Sequence, residues 1–167
     1  MSCDMFASDN RDRRSDDGGR RLRPSSATVS ALETGRERMS ATVQITLTGL
    51  RILVVEDQAL VALDLQTALE ERGAVVVGPC LGLEEAMSRT MGDEPLDGAI
   101  LDVDLGDENV FALADRLAAW GVPFVFHTGH PDIDRLHDRY TDVPVLLKPT
   151  RAEDIAYQLG GIIAAER

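Results

Sequence analysis

Five polar side chains stand directly after short apolar runs of the chain, at positions from which they could share one site. Glu56 and Asp57 follow the first run, Asp102 follows a later one, and Thr128 and Lys148 follow two more. Three carboxylates cannot all stay ionised at close range without a cation. Oxygen ligands with room for water suit Mg²⁺, which prefers carboxylates, solvent and phosphate. We therefore expect a Mg²⁺ site built from Glu56, Asp57 and Asp102.

The same residues supply what phosphoryl transfer requires. A carboxylate can attack a phosphoryl group and form an acyl phosphate, and the reaction then needs positioning and charge neutralisation on the equatorial oxygens. With a cation on one of these oxygens, the Thr128 hydroxyl can hydrogen-bond the second and the Lys148 ammonium can pair with the third. Lys148 is the only lysine among the 17 Lys and Arg residues, which indicates a site that favours a compact ammonium over a planar guanidinium.

Apolar runs alternate with amphipathic segments through most of the chain, and this alternation predicts the elements that position the site. The predicted strands are 51–56, 74–78, 98–102, 122–127 and 144–147. The predicted helices are 58–72, 83–91, 109–120, 132–139 and 151–165. The strands are apolar throughout, as when both faces of a sheet are covered. We therefore predict an α/β, flavodoxin-like, doubly wound parallel sheet of order 2-1-3-4-5 with helices on both faces.

This architecture predicts where the polar residues meet. In open α/β sheets, ligands bind beyond the carboxyl ends of the strands, at the point between the first and third strands where the strand order reverses. Glu56, Asp57 and Asp102 end those two strands, while Thr128 and Lys148 end the fourth and fifth. All five are therefore expected in one cleft.

Charge divides the chain into two parts. Residues 1–38 hold 8 Arg against 7 Asp and Glu, a net charge of +1. Because the whole chain carries −12, residues 39–167 carry −13. We predict a poorly ordered tail at 1–49, with Met39 as an alternative start, and one folded domain at 50–167. Strong acidity argues against a nucleic-acid surface. No apolar run reaches the roughly 20 residues of a membrane helix, and we expect a cytoplasmic protein.

The motifs together resemble the receiver domain of two-component response regulators, the CheY-like family, over residues 51–165. They are the acidic pair after Ile52-Leu53-Val54-Val55, the strand-three Asp102, the strand-four Thr128 and the Lys-Pro of Leu147-Lys148-Pro149. No single motif is specific, but all four in this order are. The resemblance implies the same fold as the element pattern.

The resemblance also implies a role for each site residue. Asp102 would accept the phosphoryl group and, with Asp57, ligate Mg²⁺ directly. Glu56 would ligate it through water, and the backbone carbonyl of Asp104 would be a further ligand. Thr128 and Lys148 would bind the phosphoryl group. The Lys148-Pro149 peptide bond is often cis in such domains.

Two residues depart from the family pattern. Gly106 stands where receivers usually have proline, and Val145 stands at the position of the aromatic switch residue, so that rotation of a Tyr or Phe cannot be the signalling step. The Phe-X-Thr-Gly motif at 126–129 is similar to that of a subgroup of stand-alone receivers paired with HWE-type histidine kinases. In that subgroup the segment corresponding to 131–143 is a poorly formed helix.

The resemblance implies a single-domain response regulator of a phosphorelay. Its partners would be a sensor histidine kinase, HWE-type or other, or a phosphotransfer protein, and an unidentified downstream protein. The chain ends soon after the last predicted helix, so we expect no output domain, and no enzymatic activity beyond its own phosphorylation and dephosphorylation. A signalling switch and a phosphate sink both remain open, as does the oligomeric state.

Two other functions fit these residues less well. Asp102-Val103-Asp104-Leu105 also resembles the Asp-X-Asp motif of haloacid-dehalogenase phosphatases, which form an aspartyl phosphate with Mg²⁺. In those enzymes the motif lies on the first strand and the acidic pair follows it, whereas Glu56 and Asp57 precede it here. A receiver that works without phosphate is disfavoured, because every expected site residue is present.

Overall fold

A five-stranded parallel sheet forms the centre of the molecule. The structure, a computed structural model, describes residues 45–92, 94–129 and 133–166. The sheet strands are β1 (Arg51–Val55), β2 (Val75–Cys80), β3 (Gly98–Leu101), β6 (Phe124–Thr128) and β7 (Val145–Leu147). Their order is β2-β1-β3-β6-β7, and all neighbouring strands are parallel. This is the predicted order 2-1-3-4-5, and it confirms the predicted α/β doubly wound fold.

Helices cover both faces of this sheet. They are α1 (Ala59–Glu70), α2 (Leu83–Arg89), α3 (Phe111–Ala119), α4 (Ile133–Arg139) and α5 (Ala152–Ala165). Successive residues of a strand point to opposite faces, so Leu53 joins a core with α2 and α3, while Ile52 joins a second core with α1 and α5. Two buried faces explain why the strands are apolar throughout.

A short antiparallel hairpin, which the sequence analysis did not predict, separates β3 from α3. Its strands are β4 (Asp104–Leu105) and β5 (Glu108–Asn109). Gly106 adopts a φ of 68° in its turn, a value that the ring of proline forbids. The departure from the family's proline therefore matches the local backbone. The predicted helix start at residue 109 was wrong, because Asn109 pairs with Asp104 and α3 begins only at Phe111.

Packing against the sheet begins upstream of residue 50, at which the sequence analysis placed the domain boundary. Leu47 is fully buried, and its N–H donates to the carbonyl of Arg72 at 2.9 Å. Ile45 lies against the second core. Residues 45–49 thus pack with the domain, and the rest of the predicted tail, 1–44, lies outside the described residues.

Helix α4 lies within the predicted helix 132–139, in the segment that the subgroup resemblance implied to be a poorly formed helix. Arg139, in its last turn, forms an ion pair with Asp115 of α3. Tyr140, the next residue, donates a hydrogen bond to the same carboxylate at 2.7 Å and packs its ring 5.2 Å from that of Phe126. These contacts connect α4 to α3 and β6. Within the described ranges, none of the helices combines the length and apolar character needed to cross a lipid bilayer.

Candidate functional site

The sheet brings the predicted site residues to one edge. Strands β1 and β3 pair with Val55 opposite Leu101, so the residues that follow, Glu56 and Asp102, come from neighbouring strand ends. The Asp102 N–H continues this pairing by donating to the Val55 carbonyl at 2.9 Å. All three acidic residues predicted to ligate a cation through their side chains therefore lie at the carboxyl edge of the sheet.

Glu56, Asp57 and Asp102 form a carboxylate cluster. One oxygen from each lies within 4.8 Å of the others. Glu56 is fully buried, Asp102 is 4% exposed, and Asp57 is exposed. A cluster of carboxylate oxygens that opens to solvent on one side fits a hard cation that keeps part of its water shell. The side chains present therefore fit the predicted Mg²⁺.

Asp104 borders this cluster through its backbone. Its side chain is exposed, while its N–H donates to Asp102 Oδ1 at 3.3 Å. This bond draws the first residue of β4 over Asp102. The hairpin thereby places the Asp104 backbone beside the Asp102 carboxylate. The Asp104 carbonyl and the Asp102 carboxylate were predicted to bind the same cation.

Lys148 connects two of the buried carboxylates. Its Nζ donates to Asp102 Oδ2 at 2.6 Å and to Glu56 Oε1 at 2.7 Å. The Lys148 side chain is only 17% exposed, so solvent screens these contacts weakly. Two carboxylates thus share one ammonium, which offsets only one of their two charges. The Lys148-Pro149 bond that follows is cis, as the resemblance implied.

Burial and these contacts move the pKa values in different directions. Burial raises the pKa of Asp102, and although the Lys148 hydrogen bond opposes this effect, the charge of Glu56 adds to it. Burial also acts to raise the pKa of Glu56, but His127 and Lys148 outweigh it and lower that pKa. Desolvation acts to lower the pKa of Lys148, but both carboxylates raise it. Asp102 therefore takes up a proton more readily than Glu56, and a cation would compete with that proton.

Thr128 and Lys148 are neighbours at the far side of the cluster. Thr128 ends β6 and is fully buried. Its carbonyl accepts a hydrogen bond from the Lys148 N–H at 2.9 Å, since β6 and β7 pair with Thr128 opposite Leu147. The fold thus holds the predicted hydroxyl and ammonium on adjacent strands. Val145 lies in β7 and is half-buried, so the position of the family's aromatic switch holds an aliphatic side chain.

His127 is a site neighbour that the sequence analysis placed only as the last residue of the predicted strand 122–127. The residue is 3% exposed, and its Nδ1 lies 3.7 Å from Glu56 Oε2. The signal for its position was its place at the end of an apolar strand, directly before Thr128. Sequence alone did not show that its ring reaches across the sheet edge to Glu56.

Comparisons with known proteins agree with this geometry. No family model matches the chain. The regulator PhyR of Methylorubrum extorquens is 29% identical over 108 residues, which are 63% of this chain and 40% of PhyR. The chain therefore spans less than half the length of that relative.

Several solved structures align with this chain over a larger share of their own length. SdrG from Sphingomonas melonis is 37% identical over 70% of this chain and 97% of its own, with a TM-score of 0.59. The receiver domain of HemR from Leptospira biflexa is 26% identical over 69% and 94%, with a TM-score of 0.59. A response regulator from Burkholderia pseudomallei shares the fold at 24% identity over 70% and 72%, with a TM-score of 0.58, and contains a phosphorylated aspartic acid and a calcium ion.

A parallel sheet of this order, with carboxylates and a lysine at its carboxyl edge, is the arrangement that the resemblance to receiver domains implied. Together with the similarity to SdrG, PhyR and the HemR receiver domain, it shows that the chain contains a CheY-like receiver domain of the response-regulator type.

Proposed function

We propose that this protein is a response regulator whose receiver domain accepts a phosphoryl group on Asp102 in a Mg²⁺-dependent reaction. The observation that carries the proposal is the position of Lys148, whose Nζ contacts both Asp102 and Glu56. An ammonium that contacts the acceptor carboxylate can also pair with the negative charge of a phosphoryl group bound there. The exposed third carboxylate, Asp57, leaves the cluster open towards solvent, from which a phosphodonor must approach.

The reaction follows from the chemistry of the acceptor. An oxygen of the Asp102 carboxylate attacks the phosphorus atom, a new O–P bond forms, and the bond between phosphorus and the donor's leaving group breaks with its electron pair on that group. The product is an acyl phosphate. In this scheme Glu56, Asp57, Asp102 and the Asp104 carbonyl would hold Mg²⁺, which when bound neutralises charge shared between the carboxylates and the phosphoryl oxygens.

Thr128 and Lys148 bind the transferred group in this proposal. Lys148 moves a short distance from the Asp102 carboxylate to a phosphoryl oxygen, and the Thr128 hydroxyl donates to another. Both residues are fixed by the bond between their strands. Donors whose strands are already held in place need little reorganisation when charge develops, and such positioning is the main contribution a protein makes to phosphoryl transfer.

We also propose the partners. The phosphodonor is a sensor histidine kinase, of HWE type in view of the Phe-X-Thr-Gly motif at 126–129, or a phosphotransfer protein. Because such a kinase consumes ATP, we place the protein in the cytoplasm. The output is contact with a downstream protein, with a phosphate sink as the second role; the lifetime of the acyl phosphate separates the two. No substrate turnover beyond its own phosphorylation and dephosphorylation is proposed.

The phosphatase alternative fits the topology less well. In the haloacid-dehalogenase pattern the Asp-X-Asp motif follows the first strand, whereas Asp102 and Asp104 follow β3, at the centre of the sheet. The acidic pair at Glu56 and Asp57 follows β1 instead. The arrangement of acids along the chain therefore favours the receiver.

The proposal is tested by intact mass after incubation with acetyl phosphate and Mg²⁺. We expect one hydroxylamine-labile phosphoryl group on the wild type, none on Asp102→Asn, and none on the wild type with excess EDTA. A wild type that stays unmodified, both here and with phosphorylated histidine kinases, would contradict the proposal. Rapid hydrolysis of unrelated phosphate esters would support the phosphatase instead.

A further inference from the structure

His127 and Glu56 form a buried polar pair at the edge of the sheet. His127 lies in β6 opposite Leu146 of β7, and it is 3% exposed, while Glu56 is fully buried. Both ring nitrogens of His127, and Oε2 of Glu56, have no hydrogen-bond partner among the residues that the structure describes. Nδ1 and Oε2 lie 3.7 Å apart, so each can supply the hydrogen-bond partner that the other lacks.

A small movement would complete this contact. Hydrogen bonds between nitrogen and oxygen span about 2.7–3.2 Å, so a shift of less than about 1 Å brings Nδ1 and Oε2 together. Burying a donor and an ionised acceptor without a partner is costly, since both lose their hydration. An apolar side chain at position 127 would avoid that cost, which argues against a role of the imidazole in filling space alone.

We propose that His127 is a positioning residue: it donates its Nδ1–H to Glu56 Oε2 and so fixes the direction of the Glu56 carboxylate in the cation site. The inference rests on the proposed function, because it assigns the partner of a carboxylate in the proposed Mg²⁺ site. His127 itself is outside the group of oxygens that lie within 4.8 Å of one another, so it acts through Glu56 and not as a ligand.

The contacts of Glu56 show why a second anchor is useful. Its Oε1 accepts from Lys148 Nζ at 2.7 Å and from the Gln58 N–H at 3.3 Å, whereas Oε2 faces His127. When Lys148 turns to a phosphoryl group, Oε1 loses its ammonium and Oε2 keeps the imidazole. The carboxylate therefore stays oriented through the step in which its other side-chain partner leaves. Partners of this kind, held behind a metal-ligating group, commonly set metal affinity.

The choice of ring nitrogen makes the inference testable. In His127→Asn, the side-chain amide can place an N–H close to the position of Nδ1. In His127→Gln, the amide lies near the position of Nε2 instead, and in His127→Leu the donor is removed at similar volume. The three variants thus separate the direction of the donor from polarity and from packing.

Mg²⁺ affinity of the full chain, measured by isothermal titration calorimetry, is the first readout. We expect His127→Leu and His127→Gln to bind Mg²⁺ about 10-fold more weakly than the wild type, and His127→Asn to bind within about 3-fold of it. Thermal unfolding without metal checks that each variant is folded. Equal affinity in the Leu and Asn variants would overturn the proposal, since the donor would then be irrelevant.

A second readout needs no variant and no metal. Long-range ¹H–¹⁵N NMR spectra of the wild type identify which imidazole nitrogen carries the hydrogen. We expect it on Nδ1 of His127, and a hydrogen on Nε2 with a bare Nδ1 would overturn the proposal even if the variants do not fold. A wild type that binds no Mg²⁺ and takes up no phosphoryl group would instead contradict the proposed function. Normal binding and phosphorylation, with affinity unchanged in the Leu variant, would contradict this inference alone.

Discussion

The Lys148 ammonium lies 2.6 Å from the Asp102 carboxylate, although the two residues end strands on opposite sides of β6. The same ammonium is 2.7 Å from Glu56. A single cation therefore stabilises two buried carboxylates that would otherwise repel each other. We expect the stability of the metal-free domain to depend on the contacts of Lys148 with these two carboxylates.

Replacing Lys148 with methionine leaves Asp102 and Glu56 buried without their cation. We expect the free energy of unfolding without metal to fall by about 3–5 kcal/mol, as when one partner of a buried ion pair is removed. Saturating Mg²⁺ should restore part of this loss, since it supplies positive charge to the same carboxylates. Urea unfolding with Mg²⁺ and with EDTA measures both effects.

A matched control is Arg151→Met, which removes a cation whose side chain is 75% exposed and lies outside the carboxylate cluster. Its stability should change little in either buffer. A Lys148→Met protein as stable as the wild type in EDTA would show that the ammonium does not stabilise the pair.

The contact of α4 with α3 should depend on pH. The Tyr140 hydroxyl and Arg139 lower the pKa of Asp115, although desolvation opposes them. A carboxyl group with a lowered pKa in the folded state contributes stability above its unfolded pKa of about 3.9, and that stability is lost as the pH falls through the folded value. Asp115→Asn should therefore be less stable than the wild type at pH 6, and the difference should shrink below about pH 3.9.

Urea unfolding at several pH values measures this difference. The exposed Asp64 of α1 provides the control, and Asp64→Asn should follow the wild type more closely. Tyr140→Phe, which keeps the ring packing, should cost about 1 kcal/mol at pH 6, the net value of one hydrogen bond. A difference between Asp115→Asn and the wild type that stays constant down to pH 3 would contradict the assignment.

Two adjacent glycines of α5 should respond to the same substitution with opposite signs. A Cβ on Gly160 would lie 2.5 Å from Cγ2 of Ile45 and 3.0 Å from Cδ2 of Leu47, while one on Gly161 would lie no closer than 3.9 Å to Ile45. Alanine favours a helix over glycine by roughly 0.5–1 kcal/mol. We expect Gly161→Ala to be stabilising by about this amount and Gly160→Ala to be destabilising, because the branched Ile45 must move.

Thermal or urea unfolding of the two alanine variants is the measurement. Two stabilising substitutions would mean that residues 45–47 do not pack on α5. In that case the domain would begin near residue 50, where the sequence analysis placed its boundary.

The fold could be predicted from the sequence mainly because the buried strands are apolar along their whole length. Strands buried on both faces must be apolar along their whole length, and β1 and β3 satisfy this at every position except Arg51 and Gly98. The order of the sheet then follows from the fit of five alternating strands and helices to the flavodoxin-like pattern with right-handed crossovers. The edge that holds Glu56 and Asp102 follows from the parallel direction of the strands. The meeting of Lys148 with the carboxylates also follows, since it ends a strand at the same edge.

The features that were missed depend on contacts that leave weak traces in sequence. The β4–β5 hairpin has only two residues in each strand, too few for a recognisable alternation. Ile45 and Leu47 alternate with polar residues, but this short pattern does not show that both side chains contact the distant α5. His127 looks like any residue of an apolar strand until the fold places Glu56 beside it, although Glu56 ends β1 on the other side of β3.

The identity of the phosphorylated residue tests the central claim most directly. After incubation with acetyl phosphate and Mg²⁺, borohydride reduction converts an aspartyl phosphate to homoserine, which peptide mass spectrometry locates. The account predicts homoserine at position 102 alone, with its amount reduced in Lys148→Met and Thr128→Ala. Homoserine at Asp57 or Asp104 in place of Asp102, or a phosphoryl group on a histidine, would contradict it.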